Sequence, residues 1–220
     1  MAVAIPVNPK FQYTDKYAHR ASESVTLRNA FAKIAKKLNK KYKPNIIMEI
    51  GSNDGIMLKN FAQKGIRHLG IEPSANVAKV AMDQGVNTIV DFFDKSLAEK
   101  IVRKYSKFNF IIATNLFAQT NNLEEILKSV KLILSKEGFL IVEVKYWYDL
   151  WFQKGVDYFH HEHIAYYTVS SITKVLKKYG LHVFDAEKLK VHGGILRVYV
   201  SLYKKPITKK LKKILSSEND

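Results

Sequence analysis

The chain has no cysteine, which excludes disulfides and thiolate zinc sites. Its first residues, Met1-Ala-Val-Ala-Ile-Pro-Val7, lack a basic flank and soon reach Asn8, so no signal peptide is expected. No apolar run approaches the roughly 20 residues that a membrane span needs. Neither a repeat nor an internal linker is visible. The expectation is a cytoplasmic protein with no membrane partner. Acids are also scarce: 20 Asp and Glu face 36 Lys and Arg, a formal net charge of +16. Much of that excess sits in Lys36 to Lys43 and Lys204 to Lys213. A basic surface attracts nucleic acid, acidic membrane or phosphorylated small molecules. Lysine-rich, solvated helix faces account for the charge equally well, and lysines without interleaved aromatics are a poor nucleic-acid signature.

The 220 residues, 47% apolar and 25% charged, have the size and composition of one soluble domain. Its organising stretch runs from Asn45 to Gly55. Ile46 to Ile50 is too short for a helix and reads as a buried parallel strand. Gly51-Ser-Asn-Asp-Gly55 then breaks the chain, after which Met57, Leu58, Phe61 and Ala62 recur at helical spacing. Strand, glycine turn and helix bring backbone N–H groups and a helix N-terminus to the carboxyl edge of a sheet, where α/β folds hold nucleotides. The turn lacks the G-x-G-x-x-G of a dinucleotide site. It has G-x-x-x-G, with Glu49 two residues ahead of the first glycine. A carboxylate there repels phosphates and suits the cationic amino-acid end of S-adenosylmethionine. Glu72, ending the strand Leu69 to Glu72, stands where an acid accepts ribose hydroxyls. An ordinary strand-turn-helix with incidental acids is the alternative.

Along the chain, residues 1–20 have no clear period but carry Phe11, Tyr13 and Tyr17. Ser22 or Ser24 caps a helix with Leu27, Ala30, Phe31, Ile34, Ala35 and Leu38 on one face. Further strands are expected at Thr88 to Phe93, Phe108 to Thr114 (the most apolar, hence central) and Phe139 to Val144. Helices intervene, capped by Ser74 and closed by Gly85 and Gly138. After an aromatic, histidine-rich loop from Tyr146 to Tyr167, a helix from Val169 stops at Gly180. Two strands without a helix between them, Leu181–Ala186 and Leu196–Tyr203, should pair antiparallel. The expected architecture is α/β, a class I methyltransferase (Rossmann-like) fold. Its sheet is seven-stranded and mostly parallel, with a terminal antiparallel β-hairpin. Residues 1–44 would form an aromatic segment and helix covering the active site, 45–205 the cofactor-binding core, and 206–220 a basic tail.

The strand ends carry Glu49, Gly51, Glu72, Asp91, Asn115 and Glu143. Asp91 with Phe92 and Phe93 would face an adenine. The loop sequence Asp157-Tyr-Phe-His-His-Glu-His163 suggests metal at first sight, but Ala165 breaks H-E-x-x-H and Phe159 breaks H-x-x-E-H. No metal is expected. A neutral imidazole acting as general base is the better reading, and some of these histidines are exposed loop residues.

Together these residues resemble the S-adenosylmethionine-dependent C-methyltransferases that act on nucleotide-linked deoxysugars. The matching pieces are Glu49–Gly55, Gly70–Ser74, Asn115–Ala118, Asp157–His163 with Tyr166 and Tyr167, and His192–Arg197, in family order over nearly the whole chain. The resemblance implies deprotonation of a carbon beside a 4-keto group and its methylation. It makes His163 the base, with Glu162 assisting. Tyr17 becomes a candidate active-site tyrosine, and His160, where a tyrosine is usual, an enolate donor or alternative base. It points to Glu49, Gly51, Asn53, Gly55, Glu72, Pro73, Asp91, Phe92, Asn115 and Phe117 for the cofactor. Family members usually also carry a cysteine-ligated zinc domain before this core and an α/β domain after it. Gln119, His19, Ala21 and Ile195 depart from the family pattern at sugar-facing positions. The expected partner is a small anionic substrate, a nucleotide sugar. RNA or another nucleic acid, or a truncated non-catalytic cofactor-binding role, are the alternatives.

Overall fold

The computed structural model describes residues 7–154, 159, 162–189 and 194–218. Seven strands form one sheet: β1 (Ile46–Ile50), β2 (Arg67–Ile71), β3 (Thr88–Ile89), β4 (Phe108–Thr114), β5 (Leu134–Lys145), β6 (His182–Leu189) and β7 (Ile195–Ser201). Their order is β3-β2-β1-β4-β5-β7-β6, and β4 is central, as its apolar sequence demands. β1 to β5 pair in parallel; β7 runs antiparallel between β5 and β6. This is the class I methyltransferase arrangement.

Alternation along the strands sorts side chains onto two faces. One face takes Met48, Ile50, Ile111, Ala113, Val142 and Val198. It packs on α3 (Lys95–Tyr105), α4 (Leu123–Ile133), α5 (Val169–Lys178) and α6 (Lys209–Ser217). The other takes Ile47, Phe110, Ile112, Ile141 and Tyr199 against α1 (Val25–Tyr42), through Phe31, Ile34, Ala35 and Leu38. α1 begins at Ser24, whose hydroxyl accepts the Leu27 amide at 3.3 Å. α2 (Ala75–Asp83) follows β2.

Several local expectations are corrected. Gly138 does not close α4; the chain passes from Ile133 directly into β5. A Cβ at Gly138 would stand 2.6 Å from the Asn109 carbonyl oxygen, so this glycine lets β5 press against the irregular start of β4. β3 ends at Ile89, because only Thr88 and Ile89 find partners on β2. Ser74 is the N-cap of α2 without a side-chain cap bond; its amide donates to Glu72 instead. Residues 206–218, expected as part of a basic tail at 206–220, are not a simple tail. α6 buries Leu211 and Ile214, and the Glu218 carboxylate accepts the Val169 and Ser170 amides and the Tyr146 hydroxyl. That carboxylate caps α5 and ties the chain end to the start of the long loop.

Candidate active site

Glu49, Thr114, Glu143 and Arg197 interrupt the face that α1 covers, near the carboxyl edge of the sheet. Glu49 continues the row of Ile47, Thr114 that of Ile112, Glu143 that of Ile141, and Arg197 that of Tyr199. Register sets Thr114 beside Glu143, and Glu143 beside Arg197. These four line a cavity of about 920 Å³. Its opposite wall comes from α1, through Phe31 and Ile34, and from the N-terminal strap, through Tyr13 and Tyr17.

The glycine turn does not present its amides to the cavity. Gly51 and Ser52 donate theirs to the Ile71 carbonyl at 2.8 and 3.0 Å, and Asn53 donates its own to Glu72 Oε2 at 2.9 Å. Nor does a long helix start there: residues 51–58 are turns, and only Lys59–Ala62 is helical. What remains facing the cavity is acidic. Glu49 is 2% exposed and its Oε2 has no partner. Burial, with the charges of Glu143, Asp54 and Glu72, pushes its carboxyl well above the usual range. Burial likewise raises Glu72, against two backbone amides that favour its anion.

The strap is tied to the turn. Asn53 Oδ1 accepts the Ala21 amide at 2.8 Å and its Nδ2 donates to the His19 carbonyl at 3.1 Å. Asp54 accepts the Ser22 amide at 2.9 Å, and Asn76 donates to the Tyr17 carbonyl at 2.8 Å. The Tyr17 hydroxyl donates to Glu162 at 3.4–3.5 Å. Burial first, then the Glu162 charge, raises the Tyr17 phenol and keeps it protonated.

Of the residues anticipated from sequence, Tyr17, Glu49, Gly51, Asn53, Glu72, Pro73, Asp91, Phe92 and Asn115 line this cavity. Gly55, Phe117, Glu162 and His163 do not. Gly55 faces α2 and the turn after it, where an added Cβ would meet Val86 at 2.9 Å. Phe117 is fully buried in the core, and Leu116 takes the cavity-lining place beside it. His163 is buried, its ring 6.1 Å from that of Tyr166. The next two amides, of Ile164 and Ala165, hold the Ala118 carbonyl. His160, with Asp157, His161 and His192, lies outside the described residues. Sequence reading passed over Tyr13 and Arg197 as site residues. Their signals were a tyrosine four positions before Tyr17, and an arginine two positions before Tyr199 on one strand face. Among the described residues no group of three or more His, Asp or Glu could hold a metal ion, and no helix is long and apolar enough to cross a membrane.

Fold and site together define a class I, S-adenosylmethionine-dependent methyltransferase. Residues 17–186 match the family model described as a methyltransferase domain, and the chain belongs to that family. It is similar to the C-methyltransferase NovU of Streptomyces niveus, at 32% identity over 157 residues, 71% of this chain and 37% of that protein. The chain thus corresponds to well under half the length of this relative. Among solved structures, the plantazolicin methyltransferase BamL, in complex with a desmethylPZN analog and SAH, superposes with a TM-score of 0.62. Identity there is 16%, over 83% of this chain and 88% of that one. Magnesium protoporphyrin IX methyltransferase (ChlM) of Synechocystis PCC 6803, with bound SAH, gives 0.59 at 13% identity, over 79% and 82%.

Proposed function

We propose that the chain transfers a methyl group to a carbon beside a keto group in a small anionic acceptor, a nucleotide-linked keto-sugar or a close relative. The observation that carries this reading is the Glu49 carboxyl, buried at the carboxyl edge with its Oε2 unpartnered, beside a turn whose Gly51, Ser52 and Asn53 amides donate within the protein. Such a site repels phosphate and takes a cation. The residues fit S-adenosylmethionine: Glu49 for its ammonium, Glu72 for ribose hydroxyls, Asp91 and Phe92 for adenine, Asn115 beside the amino-acid end. The cofactor supplies an electrophilic methyl group. The protein's own task is to remove a proton from the acceptor carbon, hold the resulting charge, and keep water out.

The base belongs to the loop after β5. His163 is its described candidate, with Glu162 aligned by the Tyr17 hydroxyl. The described part of residues 1–44, from residue 7 on, acts as the cover of the site, because Tyr13, Tyr17, Phe31 and Ile34 form its outer wall. The similarity to a C-methyltransferase supports carbon as the target. A nucleic-acid acceptor fits less well. Lys41 and Lys205, from the two basic clusters, meet around Tyr42, Phe139 and Phe184 at the amino edge, away from the cavity.

The test is a methyl-transfer screen of the purified chain with labelled cofactor against keto-sugar nucleotides, other keto metabolites and RNA. Acid- and base-stable label in a keto-sugar nucleotide is the expected result. Label found only in RNA, or only in an oxygen or nitrogen position, overturns the reading.

A further inference from the structure

Arg197 is the largest fully buried side chain among the described residues, at 1% exposure, and it lines the cavity. Register on β7 places it between Glu143 on β5 and Glu187 on β6. Nε donates to Glu143 Oε1 at 2.6 Å, and Nη1 to Glu187 Oε1 at 2.8 Å. Glu187 is held from its other side by Lys37 of α1 and by the Tyr199 hydroxyl. This ladder ties three strands to α1 and explains two of the three guanidinium nitrogens. It does not explain the third: Nη2 is buried and has no acceptor. A cationic donor removed from water without a partner is costly.

Strand order gives the position meaning. β1, bearing Glu49, and β7 are separated by β4 and β5. At about 4.8 Å per strand, the two residues stand roughly 14 Å apart along one cavity. Each residue lines the cavity, and each holds a buried polar atom without a partner, Glu49 Oε2 at one end and Arg197 Nη2 at the other. The Glu49 end suits the cationic cofactor, so the Arg197 end belongs to the methyl acceptor.

We infer that Arg197 Nη2 is the donor for the acceptor's oxyanion, the oxygen that gains negative charge when the adjacent carbon is deprotonated. The inference rests on the C-methylation reading. The base takes the α-carbon proton, the C–H pair becomes the C=C bond, and the carbonyl π pair moves onto the oxygen facing Nη2. When that carbon attacks the methyl group, the carbonyl re-forms and the S–CH₃ pair stays on sulfur. A donor held fixed by two carboxylates stabilises the charge as it develops. The flanking carboxylates hold the guanidinium plane in place, which a lysine cannot reproduce.

The experiment titrates the full chain, saturated with S-adenosylhomocysteine, with oxalate, a planar dianion shaped like a deprotonated hydroxy-ketone. Calorimetry on the wild type, Arg197→Gln and Arg197→Lys should show oxalate affinity falling at least tenfold in both variants. S-adenosylhomocysteine affinity should stay within about twofold. Glu187→Gln loosens the ladder but leaves Nη2 in place, so it sets the scale of a purely structural effect and should weaken oxalate less. If Arg197→Gln does not fold, Arg197→Lys against Glu187→Gln decides. Equal oxalate affinity in the wild type and the Arg197 variants, or no binding by the wild type, overturns the inference. If oxalate binding needs Arg197 but no keto compound is methylated, the C-methylation reading fails while the oxyanion subsite stands.

Discussion

The side-chain oxygen of Asn53 accepts the backbone amide of Ala21 at 2.8 Å, across 32 residues of sequence. The same amide group of Asn53 donates to the His19 carbonyl, while its backbone N–H holds Glu72. One residue therefore joins the strap over the cavity to the acid proposed for the ribose. Asn53→Ala should loosen the strap by about 1–2 kcal/mol, the worth of one part-buried and one exposed hydrogen bond. Hydrogen exchange at the Ala21 amide should quicken by about tenfold, with little change at β4. Unchanged exchange at Ala21 would show that the strap is held by other contacts.

Gly51 and Gly55 both have positive φ, +72° and +77°, but their surroundings differ. A Cβ at Gly51 meets nothing closer than Leu116 at 4.0 Å, whereas one at Gly55 runs into Val86 and Ala81 at 2.9 and 3.0 Å. Gly51→Ala should cost only the left-handed backbone penalty, about 1–2 kcal/mol, and should weaken cofactor binding. Gly55→Ala should add an overpacking cost of about 1–3 kcal/mol while its folded fraction still binds. Denaturant melts and calorimetry on each variant separate the two roles. The reverse pattern would contradict this placement of the site.

Burial and its acidic neighbours push the Glu49 carboxyl well above its usual range. A cation arriving beside it favours the ionised form, so cofactor binding should release a proton. Affinity should rise with pH up to the raised pKa of the empty site and level off above it. Calorimetry in buffers of different ionisation enthalpy counts the proton directly. Glu49→Gln should abolish the release and weaken binding. Equal proton release by wild type and variant would remove Glu49 from the cofactor site.

At Glu187, burial opposes ionisation, but hydrogen bonds from Lys37 and Tyr199 and the Arg197 charge outweigh it and bring the pKa down to about 2. A depressed carboxyl stabilises the fold above its unfolded value, near 4.5, and that stabilisation fades as pH falls toward 2. Its worth at neutral pH is on the order of 3 kcal/mol. Glu187→Gln should therefore be less stable than the wild type at pH 6 in urea, with the gap narrowing by pH 3. A gap independent of pH would assign the loss to packing alone.

His163→Asn should keep cofactor affinity and lower turnover on the order of 10²–10⁴-fold, the usual worth of a positioned base. Solvent deuterium exchange at the acceptor carbon, run without cofactor, isolates the proton-transfer step. Exchange that survives His163→Asn but not His160→Asn would move the base to His160. Exchange that survives both would move the base to a residue that lines the cavity, with His19 of the strap the first to substitute.

The sheet was readable from sequence because its signals are local. Phe108 to Thr114 is apolar enough to be buried on both faces, and Glu49 stands out as an acid inside an apolar strand. Gly138 misled because a close strand approach and a helix stop use the same residue. The last fifteen residues read as a charged tail because the apolar positions of α6 are few among lysines, and only the folded chain brings Glu218 to the N-terminus of α5. Arg197 was hidden for a different reason. Its partners on β5 and β6 are defined by a pairing of strands that no local pattern encodes.

The reversed insertion of β7 also constrains how the chain is made. During synthesis β5 presents an open edge from the time it emerges until residues 195–201 follow. At about 5–20 residues per second, that gap of some fifty residues lasts several seconds. An apolar strand with free N–H and C=O groups is then available to any neighbouring nascent chain. The ribosome-bound protein should be most prone to aggregation, and most dependent on chaperones, in that interval. Chains arrested just before residue 195 should show this more strongly than chains arrested after 218.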